Sequence, residues 1–213
     1  MSSSKSLLIA GIVDSGTAEV STAFAAGMLR FQQQLATRPN APKTAFECFS
    51  SVKDAIEHAR ATNADRTILL DGSMGIDADF LLKDHPLDRV VVAAYPLREI
   101  RWDRVLEMVK HDVEHDAESI RQQSYVYNFE KGASFDGTPK ECDTQSYLRC
   151  DHDVQARIAC VPRSCLDEFV SRFDETSSTL RGGCLVDVSA KTTNAGPYDF
   201  VGCVLNQLVT NAV

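Results

Sequence analysis

The residues best placed to do chemistry lie in Thr67-Ile68-Leu69-Leu70-Asp71-Gly72-Ser73-Met74-Gly75-Ile76-Asp77-Ala78-Asp79-Phe80, where an apolar run opens into a turn carrying three carboxylates. An apolar stretch that ends in Asp-Gly reads as a buried strand, and the carboxyl ends of such strands are where open α/β sheets hold ligands. Carboxylate oxygens suit a hard divalent cation, and such a cation suits a phosphate-bearing ligand. Asp71, Asp77 and Asp79 are therefore candidate metal ligands; as acids after a strand or in a first helical turn, they are equally suited to capping.

A second candidate is Asp14-Ser15-Gly16-Thr17, between the first apolar run and the first helical pattern. Its N–H groups and hydroxyls could meet a nucleotide or cap the helix. It has neither G-x-G-x-x-G nor a Walker lysine, so it supports neither a dinucleotide fold nor a P-loop. Asp151-His152-Asp153 is a dense polar triplet before a later strand, readable as a solvated turn. His111 and His115, one helical turn apart among acids, read as a solvated helix face. Arg98 reads as an exposed arginine or a phosphate contact, and Trp102 as partly buried packing or a sugar platform.

The elements that would position these residues follow from periodicity. Ser6 to Val13 is a strand, and Val20, Phe24, Met28, Phe31 and Leu35 recur at helical spacing until Arg38-Pro39-Asn40-Ala41-Pro42. Thr44 to Phe49 is a second strand, and Ser51-Val52-Lys53-Asp54 resembles a capping box for a helix to about Arg60. Thr67 to Leu70 is a third strand, Asp77 to Leu82 a short helix and Arg89 to Ala94 a fourth strand. Beyond it the pattern predicts a helix from Ile100 to His111, an edge strand from Tyr125 to Phe129, a loop from Lys131 to Cys142, a strand from Gln155 to Val161 and a helix opening at Ser164. Strand–helix alternation implies an α/β, Rossmann-like fold with a central, mostly parallel mixed sheet flanked by helices.

The 213 residues suit one domain with a substantial core. Twenty-two basic against 30 acidic side chains give a net charge of -8, which argues against nucleic acid or an anionic membrane as partner. No run reaches the roughly 18 apolar residues of a membrane span. Seven widely spaced cysteines without a Cys-x-x-Cys pair read as reduced thiols in a cytoplasmic setting.

The order Asp71-Gly72-Ser73, Asp77-Ala78-Asp79-Phe80-Leu81-Leu82, Val90-Val91-Val92-Ala93-Ala94-Tyr95-Pro96 and Ile100-Arg101-Trp102 resembles nucleotide-sugar glycosyltransferases of the GT-A fold. The resemblance is specific between about Thr67 and Trp102 and weaker elsewhere; size and motifs look nearest to virus-encoded domains that glycosylate capsid protein. It implies a single GT-A domain over 1–213, with residues 1–100 as the donor half and 101–213 as the acceptor half. It further implies a UDP-sugar donor, a glycan or glycoprotein acceptor, Mn²⁺ or Mg²⁺, and retention at the anomeric carbon. Donor contacts would come from Ile12, Val13, Asp14, Ser15, Asp71, Gly72, Ser73 and Arg98. Metal ligands would come from Asp71, Asp77 and Asp79, with His152 as a further one, and Asp199 and Asp153 are the candidate catalytic carboxylates. The chain departs from the family at Ser73, which stands where a DxD triplet would have its second acid. Either the later Asp77 and Asp79 hold the metal or Asp71 works with one of them. Two other readings remain: a nucleotide- or glycan-binding module without turnover, and a metal-dependent phosphohydrolase.

Overall fold

The structure, a computed structural model, describes residues 6–13, 19–110, 120, 123–130, 146–195 and 200–202. The first half alternates as its patterning demands: β1 (Ser6–Ile12), α1 (Thr22–Thr37), β2 (Lys43–Phe49), α2 (Val52–Thr62) and β3 (Arg66–Asp71). Ser21 caps α1 by accepting from the Phe24 N–H, and Ser51 caps α2 by accepting from Asp54. A three-residue strand, β4 (Met74–Ile76), then precedes α3 (Ala78–Leu82), β5 (Val91–Ala93), β6 (Pro96–Ile100) and α4 (Trp102–Lys110).

The second half is built of shorter pieces: β7 (Tyr125–Tyr127), β8 (Tyr147–Cys150), β9 (Val154–Gln155), β10 (Ile158–Pro162), a 3₁₀ turn (Arg163–Cys165), α5 (Leu166–Arg172), β11 (Phe173–Asp174), β12 (Thr179–Leu180), β13 (Cys184–Asp187), β14 (Thr192–Asn194) and β15 (Phe200–Gly202). The strand expected from Gln155 to Val161 is thus divided, with Ala156 and Arg157 between its halves.

The central sheet has seven strands in the order β2-β1-β3-β10-β5-β13-β8. The pairings β1–β2, β1–β3 and β5–β13 are parallel, whereas β3–β10, β5–β10 and β8–β13 are antiparallel, so the sheet is mixed. β10 follows β9, a strand of a separate three-stranded sheet, after two residues and inserts antiparallel to both neighbours. Its five residues are all buried, as a strand covered on both faces requires.

Alternation along the strands divides the core into two layers. Leu8, Ala10, Leu69, Val92 and Val161 face α2 and α5, packing with Ile56 and Phe169. Leu7, Ile9, Ile68, Leu70, Val91 and Cys160 face α1 and α3, packing with Phe24, Phe31 and Phe80. Helix α4 buries none of its side chains and leaves Trp102, Leu106 and Val109 more than half exposed, so Trp102 is not the packed residue expected of a lone tryptophan. No helix among the described residues is long and apolar enough to cross a membrane. Cys48, Cys150, Cys160, Cys165 and Cys184 carry free thiols, and all but Cys48 are buried.

The approach of α1 to β4 depends on missing side chains. A Cβ on Gly27 would stand 2.6 Å from the Ile76 carbonyl oxygen, and one on Gly75 would stand 2.8 Å from the Ala23 Cβ. Gly27→Ala gains up to about 1 kcal/mol of helix propensity but must push α1 and β4 apart, at about 1–3 kcal/mol. The expected net effect is a lower midpoint of urea unfolding; a variant as stable as the parent would show that α1 can move away from β4 without loss.

Candidate functional site

The carboxyl ends of β1 and β3 form the floor of the candidate site. The Gly72 N–H donates to the Ile12 carbonyl at 2.8 Å, and the Gly72 carbonyl accepts from Ser21 at 2.7 Å. A side chain on Gly72 would meet Val13 Cγ1 at 3.0 Å, the Ile12 oxygen at 3.2 Å and Val20 Cγ1 at 3.3 Å, so glycine lets the two strand ends close. Val13 is held by donating to the Phe49 carbonyl. Ile12, Val13, Asp71, Gly72 and Ser73 are thus brought together as expected; Asp14 and Ser15 lie outside the described residues.

On this floor stands a polar cluster. Asp71 Oδ1 accepts from both the N–H and the hydroxyl of Ser73, each at 2.8 Å. Asp71 Oδ2 accepts from Arg157 Nε at 2.9 Å. Arg157 Nη2 donates to the Ser73 hydroxyl oxygen at 2.6 Å, and among the described residues Nη1 has only a long 3.4 Å contact with Asn194 Oδ1. The backbones are joined as well, since the Asp71 N–H donates to the Arg157 carbonyl. The Asp71 and Arg157 side chains are 28% and 26% exposed, so the pair can be reached from solvent. Arg98 belongs to the same edge at one remove: it donates to the Ala195 carbonyl, and the Ala195 N–H donates to the Ser73 carbonyl.

Behind the pair lies Tyr95, fully buried. Its hydroxyl is close enough to Arg157 and Asp71 to feel both charges, but its proton reaches no acceptor among the described residues. Burial pushes the phenol well above its usual range, so it remains a donor at every working pH. Asn128 positions both Tyr95 and the approach to Arg157. Its Oδ1 accepts from the Tyr95 N–H, its Nδ2 donates to the Ala93 and Gln155 carbonyls, and its own N–H donates to the Tyr95 carbonyl.

The remaining sequence candidates are not gathered here. Asp77 is the N-cap of α3: Oδ1 accepts from Phe80 at 3.1 Å and Oδ2 from the Lys191 N–H at 3.3 Å. Burial raises its pKa, against the pull of those two bonds. Asp79 is exposed in the first turn of α3. His152 Nε2 donates to the Phe129 carbonyl at 2.7 Å, which fixes the ring over a turn, and Asp153 accepts from the Gly182 N–H, whose residue has φ +54°. Asp199, His111 and His115 lie outside the described residues.

The Mn²⁺ or Mg²⁺ implied by the resemblance finds no gathered set of protein ligands among the described residues. Both oxygens of Asp71 and of Asp77 already accept, and the His152 nitrogen facing Phe129 already donates. Among the described residues, no three His, Cys, Asp or Glu side chains form a group that could hold a metal ion. Sequence reading missed Arg157, Asn128 and Tyr95 as members of the site. The one available signal was an arginine at the mouth of the apolar run Ile158-Ala159-Cys160-Val161.

A second polar cluster lines the same sheet edge. The buried Asp187 accepts from Lys83 Nζ at 2.7 Å and from the N–H and hydroxyl of Ser189. Nearby, His85 Nε2 donates to the Phe80 carbonyl and Nδ1 accepts from the Tyr147 hydroxyl, both at 2.9 Å. This neutral tautomer is fully satisfied, and it ties the exit of α3 to β8.

Removing the Asn128 amide leaves the Tyr95 N–H unpaired in the core. Asn128→Ala should therefore lower stability by about 2–4 kcal/mol, read from urea unfolding; a loss below about 1 kcal/mol would show that water or a rotated backbone replaces the amide. His85 supplies a pH test. Burial lowers its pKa to about 4 in the folded chain, against about 6.5 unfolded, so the unfolded state binds the extra proton in between. The associated stability is complete above about pH 6.5 and is lost as pH falls toward 4, on the order of 2 kcal/mol. Parent and His85→Gln unfolding curves should converge across that window, and an unchanged gap would refute the assignment.

No protein-family model matches the chain, and no curated protein matches it. Among solved structures, the chain is similar to A197 from STIV, at 11% sequence identity and a TM-score of 0.48, over 93% of this chain and 94% of that one.

Proposed function

We propose that this chain is a GT-A glycosyltransferase that moves a sugar from a nucleoside-diphosphate donor, UDP-linked, to a glycan or glycoprotein hydroxyl. The observation that carries the reading is the convergence of Ile12, Val13, Gly72, Asp71 and Ser73 at the carboxyl ends of adjacent parallel strands, with Arg157 beside them. That edge is where an α/β sheet offers backbone to a nucleotide, and Arg157 offers a cation to its phosphates. The motif order from Thr67 to Trp102 supports the same reading from the sequence.

In the proposed reaction the acceptor oxygen forms a bond to the anomeric carbon as the bond from that carbon to the donor diphosphate breaks. The acceptor proton passes to the departing phosphate oxygen, and UDP leaves. Attack on the face that the leaving group vacates retains the anomeric configuration and needs no enzymic nucleophile. The protein's role is to hold both substrates in line and to stabilise charge growing on the diphosphate. A second reading is favoured by one observation: Asp71 is fully hydrogen-bonded to Ser73 and Arg157, as in a site that binds nucleotide without turning it over.

Calorimetric titration of UDP, GDP and CMP, followed by an assay for UDP release from UDP-sugars, tests both. UDP is expected to bind at about 1–100 µM, equivalent to roughly 5–8 kcal/mol, with GDP and CMP at least tenfold weaker. UDP binding without any donor turnover would favour the binding module. Absence of binding by all three nucleotides would remove the glycosyltransferase reading, and an inverted product would remove retention alone.

A further inference from the structure

We infer that Arg157 is the diphosphate-binding cation of this site, taking the place of a divalent metal, and that Asp71 acts as its intramolecular counter-ion until an anion displaces it. The inference rests on the nucleotide reading above and specifies how the phosphate charge is met.

Asp71 is the only carboxylate bonded to Arg157 among the described residues, and it takes just one of the arginine's N–H groups, through Nε. Ser73 takes a second, and the remaining contact, from Nη1 to Asn194, is long. Arginine has five N–H donors in a planar fork, matched to two oxygens of a phosphate. Among the described residues the fork is therefore underused where it stands.

The Tyr95 hydroxyl, its oxygen beside the Arg157 backbone N–H, adds a further proton with no acceptor among the described residues. It is buried beside Arg157 and Asp71, and orphaned buried donors are uncommon enough to need a reason. An anion against the guanidinium would draw on both surpluses at once. The acceptor side is deficient in the same way: Asp71 Oδ1 is committed to Ser73, leaving only Oδ2 to balance the arginine.

Ser73 then has a physical role. A second acid at that position would give Arg157 two carboxylates and leave the cluster net negative. A hydroxyl instead donates to Asp71 and accepts from Arg157, linking the two without adding charge. The cluster thus stays near neutral instead of net negative, so the guanidinium's N–H donors can turn to a phosphate even in a protein whose net charge is -8. Because Arg157 is tethered through its backbone carbonyl to the Asp71 N–H, its side chain can turn toward a ligand while the two strands stay joined.

The two roles for Asp71 predict opposite outcomes for one substitution. If Asp71 were a metal ligand, Asp71→Asn would abolish nucleotide binding. As a competing counter-ion, its neutralisation releases Arg157 and tightens binding. The experiment is calorimetric titration of inorganic pyrophosphate and of UDP into the parent chain, Asp71→Asn, Arg157→Lys and Arg157→Met, each with Mn²⁺ and with chelator, after thermal melts establish that each variant is folded. Expected are affinities within twofold with and without chelator, a gain of threefold or more in Asp71→Asn, a loss of tenfold or more in Arg157→Met, and an intermediate loss in Arg157→Lys. Should Arg157→Met fail to fold, Asp71→Asn and Arg157→Lys decide the matter. UDP binding that requires Mn²⁺ and disappears in Asp71→Asn would overturn the inference while leaving the nucleotide reading intact. Pyrophosphate binding that depends on Arg157, without preference for any nucleoside, would uphold the inference and overturn that reading. No binding of either ligand would overturn both.

Discussion

The ion pair between Arg157 and Asp71 depends on a single choice of strand direction, and the rest of the site depends on that pair. β10 inserts between β3 and β5 and runs against both. Its first residues therefore lie at the edge of the sheet where β1, β3, β5 and β13 end. Had β10 run parallel to them, Arg157 would have entered at the opposite edge, and Asp71 would face solvent without a cation. The register places Ile158 opposite Leu70, so the next residue back, Arg157, falls opposite Asp71. The antiparallel insertion thus turns an ordinary acid at a strand end into half of a charged pair.

Such a pair is a poor source of stability. With both side chains about one quarter exposed, water screens the attraction, and the residual desolvation offsets much of what remains. The fold is held instead by its two apolar layers and by buried amides such as Asn128, each of which links backbone segments that share no sheet pairing. The polar cluster at the carboxyl edge therefore has a degree of freedom the core lacks. The Arg157 side chain takes no part in strand pairing, so it can rearrange without breaking the sheet, and a ligand-binding group needs that independence.

Much of the first half was legible in the sequence because its elements are long enough to repeat. Phe24, Met28 and Phe31 fall on the buried face of α1, and Ser51 with Asp54 marks the start of α2 through a cap hydrogen bond between neighbours in sequence. Asp77 was legible in the same way as a cap, since its main partner, the Phe80 N–H, is three residues on. β4 was not, because three residues carry no period, and β10 was merged with β9 because Val154 to Val161 is apolar except at Gln155 and Arg157. The site was half legible for the same physical reason. Asp71, Gly72 and Ser73 act through near neighbours and through a strand ending that apolar patterning reveals. Arg157 acts across 86 residues through a register fixed by pairing, and Asn128 acts through backbone atoms whose owners could be any residue. Neither leaves a trace in local spacing.

The departure at Ser73 and the presence of Arg157 are one arrangement seen from two strands. Where a strand ends in two acids, their mutual repulsion is relieved by a cation shared between them, and a divalent ion with further oxygen ligands does this well. Here Ser73 offers a hydroxyl and a guanidinium stands against Asp71, so the Asp71 charge is balanced within the chain. A serine opposite a lone Asp71 would leave a partly buried carboxylate with no counter-charge, and an arginine facing two acids would be locked in place. Together they give a single carboxylate and a single cation joined by a neutral bridge, a local charge near zero. That coupling makes the Ser73 position informative: its hydroxyl joins the end of β3 to the entrance of β10 without adding charge.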